Sequence, residues 1–454
     1  MKKIFIIIMI GTVMSGCSVY KKYQRPEALA VSEGYRDMNA AEQDTSTLAT
    51  FHWQELFSDL YLQSLIEAGL QHNTNLQIAR LRVEQAEAVL QSSRLAYLPS
   101  VNLTPQGSIS SFDGATPSKT YLLAASASWE LDIFGKLTNA KRGDIAALEG
   151  SRAYQQAVQT QLISTIANSY YTLLRLDRQQ EINQATLRNW EENIRTLQLL
   201  KQAGQSNDAA ILRAKASRLA LESSILGVTK SINEVENSLS VLLGREPQHI
   251  KRGVLLGQLF PETLSIGVPL QLLSNRPDVR QAEFNLAQAF YTANVARAAF
   301  YPSITLGGSA GWTNSAGSAI VNPGEFLWSA AGSLLMPLFN RGQNQANLKI
   351  AKAQQEEAQL LFQQSLINAG QEVNDALVQW QTAQQQITLG NRQVEALQEA
   401  VSKTELLMKH SSVNYLEVLT AQQALLQAEQ TQAQNQFDKI QGVIKLYHAL
   451  GGGQ

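Results

Sequence analysis

The sequence predicts a mainly α-helical chain with membrane β-strands, built twice from one unit of helix, β-hairpin, very long helix and returning helix. Three observations carry that expectation. Arg94-Leu95-Ala96-Tyr97-Leu98-Pro99-Ser100-Val101-Asn102-Leu103 returns as Arg297-Ala298-Ala299-Phe300-Tyr301-Pro302-Ser303-Ile304-Thr305-Leu306, 203 residues later. Ile133-Phe134-Gly135-Lys136 is answered by Leu338-Phe339-Asn340-Arg341 at 205, and Leu243-Gly244 by Leu450-Gly451 at 207. A period this long marks duplication of a large unit rather than a solenoid. Two long proline-free stretches, Leu137 to Gly204 and Gly342 to Lys409, occupy matching places in the two copies. Ahead of each, the apolar pattern changes to a period of two, the signature of a strand with one apolar face.

The chain opens with Lys2, Lys3, the apolar run Ile4 to Val13, and then Met14-Ser15-Gly16-Cys17. The run is too short to span a bilayer and ends on small residues. It resembles a bacterial lipoprotein signal cleaved before Cys17, with Met14 in place of the usual Leu. A covalent lipid on Cys17 is therefore expected, and Ser18 rather than Asp favours the outer membrane. The expected organisation is a signal peptide over 1–16, a tether over 17–56, a first repeat over 57–250 with its hairpin near 101–133, a linker over 251–274, and a second repeat over 275–454 with its hairpin near 304–338.

Within the first repeat, a short helix is expected from Asp59 to His72. A second helix begins at Thr74, with Leu76, Ala79, Leu81, Val83, Ala86 and Leu90 close to one stripe, and Pro99 ends it. Val101, Leu103, Gly107 and Ile109 then alternate with polar residues. After a turn around Asp113-Gly114, so do Tyr121, Leu123, Ala125, Ala127, Trp129 and Leu131. The following proline-free stretch would reach roughly 100 Å at about 1.5 Å per residue. Gly204-Gln205-Ser206-Asn207-Asp208 breaks it, and a helix returns to Leu243. The second repeat follows the same order. Pro277 to Phe300 is a helix with Asn275 as its cap. Ile304, Leu306, Gly308, Ala310 and Trp312 form one strand face; Phe326, Trp328, Ala330, Gly332, Leu334 and Met336 form the next. A long helix runs to Lys409, breaks at Ser411-Ser412-Val413-Asn414, and returns to Leu450.

Four strands cannot close a barrel, and an open sheet leaves unpaired edges. Closure in a membrane needs about eight strands or more, so two copies would supply eight and three would supply twelve. Phe112, Tyr121, Trp129, Trp312, Phe326 and Trp328 sit where a barrel carries interfacial anchors. The alternative is a pair of soluble hairpins packed on helices.

Other chemistries find little support. The net charge of -1 gives no reason to expect nucleic acid. Five dispersed histidines with no His-x-x-x-His pair argue against a metal site, and one cysteine forbids an intramolecular disulfide. There is no Walker-type phosphate loop. Gly307-Gly308-Ser309-Ala310-Gly311 matches the esterase pattern Gly-x-Ser-x-Gly, but that motif needs a strand-to-helix elbow, and here it lies inside an alternating strand. No enzyme activity is expected. Uncharged residues such as Gln354, Gln355, Gln363, Gln364, Gln384, Gln385 and Gln386 suit a wetted channel wall or plain exterior solvation. Ala351, Ala353, Ala358, Ala421 and Ala424 would let neighbouring helices approach closely.

From about residue 50 to the end the chain resembles the TolC-type outer-membrane efflux ducts, lipoprotein branch. The resemblance rests on Tyr97-Leu98-Pro99-Ser100 and Phe300-Tyr301-Pro302-Ser303, and on Trp129-Glu130-Leu131-Asp132-Ile133-Phe134-Gly135-Lys136. It rests also on Asn275-Arg276-Pro277-Asp278-Val279-Arg280 and on Leu446-Tyr447-His448-Ala449-Leu450-Gly451-Gly452-Gly453. It implies a homotrimer whose twelve strands form one outer-membrane barrel in a Gram-negative bacterium, continuous with a periplasmic helical tunnel. A periplasmic adaptor (membrane fusion protein) and an inner-membrane pump, preferably proton-driven, would be its partners, with outer-membrane lipid around the barrel. The chain would be a passive conduit for small molecules and need no cofactor beyond the lipid on Cys17. An exit duct for type I protein secretion and a non-transporting structural lipoprotein are the alternatives. The resemblance also implies adaptor contact at the turns Gly204, Gln205, Ser206, Asn207, Asp208 and Ser411, Ser412, Val413, Asn414, Tyr415. The family's Asp-Val-Leu-Asp-Ala constriction pattern reads Glu417-Val418-Leu419-Thr420-Ala421 here. Glu417 keeps one acid, and Thr420 replaces the other.

Overall fold

The computed structural model describes residues 20, 22–26, 52–258, 260, 276–314, 324–409 and 415–452. Cys17, the cap residue Asn275 and the turn Ser411 to Asn414 lie outside the described residues. Along the chain run α1 (Trp53–Leu56), α2 (Leu60–His72), α3 (Thr74–Leu95), β1 (Ser100–Ser110), β2 (Ser118–Leu131), α4 (Lys136–Gln202) and α5 (Asp208–Leu242). They are followed by α6 (Pro277–Ala298), β3 (Ser303–Thr313), β4 (Glu325–Leu335), α7 (Gln343–Lys409) and α8 (Tyr415–Ala449). The long helices α4 and α7 have 67 residues each, and the returning helices α5 and α8 have 35 each. The duplication is thus preserved to the residue in helix length.

The chain divides into two compact units, each drawing on both repeats. One comprises Met1–Ala28, Leu81–Arg152 and Gln281–Gln364; the other comprises Leu29–Arg80, Ala153–Arg280 and Ser365–Gln454.

The first unit holds a four-stranded antiparallel sheet in the order β1-β2-β3-β4. The register lines up Leu103, Ala125, Ala310 and Trp328 in one row and Asn102, Ser126, Ser309 and Ser329 in the next. Apolar and polar rows alternate because successive side chains leave a strand on opposite faces. Trp312 and Phe326 meet edge to face at 5.8 Å on the apolar side, while Ser108 with Thr120 and Ser309 with Ser329 pair hydroxyls on the polar side. Gly311 has no room for a side chain: a Cβ there would stand 2.2 Å from the Leu123 carbonyl oxygen. Asp113 and Gly114, at φ 51° and 74°, turn the first hairpin, since Asp and Gly tolerate the left-handed region.

The end of β2 is fastened to α4. Asp132 accepts hydrogen bonds from the backbone N–H groups of Leu137 and Thr138 and from the Thr138 hydroxyl. These satisfy donors that the first helical turn would otherwise leave open. Trp129 Nε1 donates to the Tyr97 carbonyl at 2.9 Å, and Phe134 stacks on Tyr301 at 5.1 Å.

The second unit buries the main hydrophobic core. Trp53, Phe57, Leu62 and Ile66 from α1, α2 and their connection pack with Ile163, Ile166, Tyr170, Tyr171 and Leu174 of α4. Leu239 of α5 and Val443, Ile444, Leu446 and Tyr447 of α8 complete the contact. Asn73 Nδ2 donates to the Leu242 carbonyl at the end of α5, and its Oδ1 accepts from Leu76 N–H. In the second repeat Arg276 Nη1 donates to the Ala449 carbonyl at 2.9 Å, and its guanidinium pairs with Asp278 and Glu372.

Of the five alanines expected to bring helices together, Ala351 is buried and Ala358 and Ala421 are half-buried, whereas Ala353 and Ala424 are exposed.

Candidate channel tip and barrel strands

Among the predicted site residues, the first interhelical turn is fully described. Its geometry follows from Gly204, which sits at φ 75° with open space around it. That left-handed residue lets Gly204 N–H reach the Lys201 carbonyl and Gln205 N–H reach the Leu200 carbonyl at 2.8 Å, closing the last turn of α4. Asn207 Oδ1 then accepts from Ala210 N–H at 3.0 Å and starts α5. Lys201 and Asp208 close the turn with a 2.6 Å ion pair. Gly204, Gln205, Asn207 and Asp208 are exposed, and Ser206 is half-buried.

Beneath this turn Leu197, Ile211, Ala214, Met408, Tyr415, Val418 and Leu419 form a separate apolar cluster. It brings the breaking ends of α4, α5, α7 and α8 together. Tyr415, expected in the second turn, is the first residue of α8 and only 7% exposed. Its hydroxyl is pushed up to about 12 by burial. The aromatic ring holds the four helices together and offers little surface to a partner. Glu417 and Thr420 are both exposed, because Val418 and Leu419 between them face the cluster. The Thr420 hydroxyl donates to the Leu416 carbonyl of its own helix.

The glutamines singled out on α7 lie mostly at the surface: Gln354, Gln364, Gln384, Gln385 and Gln386 are exposed, and Gln355 and Gln363 are half-buried. Other amides join helices. Gln422 donates to Glu405 at 2.8 Å, Gln430 to Asn183 at 2.7 Å, and Gln432 to Asn391 at 2.5 Å. Gly390 was the available signal. A Cβ there would lie 2.0 Å from Gln432 Oε1, so the helix gives up a side chain to admit the amide.

Ser309 lies within β3, bonded to Ser329, and no strand-to-helix elbow surrounds it. Among the described residues no cluster of His, Cys, Asp or Glu is placed to hold a metal ion. Among them, too, no helix is long and apolar enough to cross a membrane. The sheet exposes apolar surface: β1 and β4 are exposed along their whole length, with Leu103 at 68%, Trp328 at 71% and Leu334 at 68%.

Very long paired helices and, in the other unit, an apolar-faced sheet of four strands are the features of a membrane-inserting channel subunit. The family model described as Outer membrane efflux protein matches residues 65–245 and 268–452, and the chain belongs to that family. It is 31% identical over 450 residues to the cation efflux system protein CusC of Escherichia coli, covering 98% of this chain and 97% of the relative. It is 28% identical over 447 residues to the probable outer membrane lipoprotein SilC of Salmonella typhimurium, covering 97% and 96%. With the solvent efflux pump outer membrane protein SrpC of Pseudomonas putida it shares 29% over 461 residues, 99% and 97% of the two chains. A crystal structure of CusC superposes with a TM-score of 0.87 at 30% identity, covering 96% of this chain and 100% of that one. The chain is an outer-membrane efflux channel.

Proposed function

We propose that three copies of this chain form one duct, with a twelve-stranded barrel in the outer membrane and a helical tunnel in the periplasm. A periplasmic adaptor and an inner-membrane pump feed it. The observation that carries this reading is the open sheet: among the described residues both edge strands lack an outer neighbour and are exposed along their whole length. An isolated sheet of this kind would aggregate, and closure by further copies in lipid removes the edges. The cargo is a small molecule or ion, as for relatives named for cation and solvent efflux. A lipid on Cys17 anchors each copy. The signal, tether, repeats and linker divide at 1–16, 17–56, 57–250, 251–274 and 275–454. The exposed turn Gly204 to Asp208 meets the adaptor together with Ser411 to Asn414.

Glu417 and Thr420 narrow the tunnel. A ring of three carboxylates favours cations, so Glu417→Ala should lower cation selectivity in single-channel recordings, and an unchanged reversal potential would remove Glu417 from the ring. The duct itself is tested with purified, full-length protein. A heat-sensitive trimer on unheated gels and ion conductance in a planar bilayer are expected. A stable single subunit that never conducts would overturn the reading.

A further inference from the structure

The internal repeat contains its own instruction for how one copy joins the next. Within the chain, the second strand of the first hairpin pairs with the first strand of the second hairpin: Trp129 stands opposite Leu306. In a closed ring, the second strand of the second hairpin, β4, must meet the first strand of a first hairpin, β1, belonging to another copy. The repeat equates Leu306 with Leu103, through the shift of 203 that relates Pro302 to Pro99. It equates Trp129 with Leu334, through the shift of 205 that relates Phe134 to Phe339. The geometry points to a specific edge-to-edge register between copies, with Leu334 of one chain opposite Leu103 of the next. This inference rests on the trimeric barrel proposed above and supplies its joint.

The register is chemically coherent along its length. Trp328 falls opposite Ile109, an aromatic against a β-branched residue, a favourable cross-strand pair. Ser329 falls opposite Ser108 and Ser333 opposite Thr104, so hydroxyl meets hydroxyl on the polar face. Pro105 falls opposite Gly332, where the proline ring meets a residue without a side chain. A slip of one residue would set each apolar row against a polar one.

Slips of two residues keep the faces matched and need another criterion. The second hairpin pairs Ser303 with Leu335, whereas the first pairs Ser100 with Ser128. That difference, taken as the shift, would move the joint by two, to Leu334 opposite Pro105. Barrel geometry excludes that shift. Following partners from Ser100 to Ser128, Gly307 and Ala331 and across the proposed joint arrives at Gln106 of the next copy, an advance of six residues. Three copies then accumulate a stagger of about eighteen, which for twelve strands at about 4.8 Å spacing tilts them by about 45°. The alternative accumulates about twenty-four and tilts them by about 54°, beyond the usual range of about 35–45°. A slip in the other direction would break the equivalence of Phe134 with Phe339.

A second contact follows from the same transposition. Phe134 stacks on Tyr301 within the chain. Phe339 is 86% exposed and Leu338 90% exposed. The repeat equates Tyr301 with Leu98, itself an exposed apolar residue. Phe339 therefore packs on Leu98 of the next copy when β4 meets β1.

Paired cysteines in the full-length protein test the joint. Leu334→Cys with Leu103→Cys, and its neighbour Ser333→Cys with Thr104→Cys, are compared because only alternate pairs bring side chains close. After mild oxidation of outer membranes, at least one of these two should give disulfide-linked dimers and trimers on denaturing gels. The yield should be at least about five-fold above the pairs shifted by two, Leu334 or Ser333 with Pro105 or Gln106 and with Val101 or Asn102. Preferential linking of a shifted pair, or a normal trimer in which no pair links, overturns the register and leaves the barrel standing. Loss of the trimer in the unsubstituted protein overturns the barrel itself.

Discussion

The two repeats keep one contact in common and differ in another. Asn73 and Arg276 stand at equivalent positions, and each donates to the carbonyl that ends its returning helix, Leu242 or Ala449. Gly244 and Gly451, at φ 65° and 79°, follow those helices and press against His72 and Arg276. The clasp persists although an amide has been exchanged for a guanidinium, because both of its halves lie within one repeat. Phe134 and Phe339 are equally equivalent, yet Phe134 stacks on Tyr301 and Phe339 is open to solvent. That contact crosses from one repeat to the other, so a single chain can make it only once. Duplication conserves what a repeat does for itself, whereas of this relation between repeats one end, Phe339, stays exposed within the chain.

The clasps give the largest expected effect. Arg276 is 3% exposed and serves Asp278, Glu372 and the Ala449 carbonyl together. Arg276→Ala should cost about 3 kcal/mol, since it strands groups that were paired. Asn73→Ala should cost about 1–2 kcal/mol, the loss of a cap and a neutral hydrogen bond. Denaturant unfolding in detergent, followed by circular dichroism, measures both, and equal losses would show that the exchanged side chains do the same work.

The aromatic pair comes next. Phe134→Ala should lower the stability of the separated chain by about 1–3 kcal/mol, since its stacked partner is in the same chain. Phe339→Ala should leave the separated chain unchanged and lower the temperature at which the trimer dissociates. If both variants weaken the separated chain alike, the distinction between inward and outward contacts is lost. At the tip, Gly204→Lys places a side chain at a left-handed residue, a strain of about 1–2 kcal/mol confined to the turn. Export should fail while trimer content on unheated gels stays normal; intact export would detach the turn from the adaptor.

The smallest effect is a pH dependence expected at the second clasp. Burial, and then the nearby charge of Arg276, hold His448 below its ordinary 6.5. Burial opposes the charged form of Asp278, but Arg276 outweighs it and leaves that carboxyl below its ordinary 3.8. A lowered histidine contributes nothing adverse above 6.5 and destabilises as pH falls towards its folded value. The lowered carboxylate contributes above 3.8 and is lost below it. Asn75 and Val241 occupy these places in the first repeat and do not titrate. Stability should therefore drop between pH 7.5 and 5.5 in the native protein and less so in His448→Gln. Identical slopes would discard the histidine.

Much of this was legible beforehand. The helix breaks at Gly204 and Gly244, the clean alternation of the strands and the matched lengths of the repeats are local properties of neighbouring residues, and they emerged where periodicity and turn chemistry placed them. The tip was half legible. Gly204 and Asn207 announce a turn by their backbone preferences, but nothing around Tyr415 reveals that its ring is buried among four helix ends. The amide links of Gln422, Gln430 and Gln432 were hidden among many glutamines of identical local context.

The sequence by itself determined the elements, their order and which face of each strand is apolar, because those follow from side-chain spacing along one short stretch of backbone. Only the tertiary structure decided that the two hairpins share one sheet, in which register, and which polar groups on separate helices find each other. Those depend on residues a hundred or more positions apart, whose meeting no local pattern encodes.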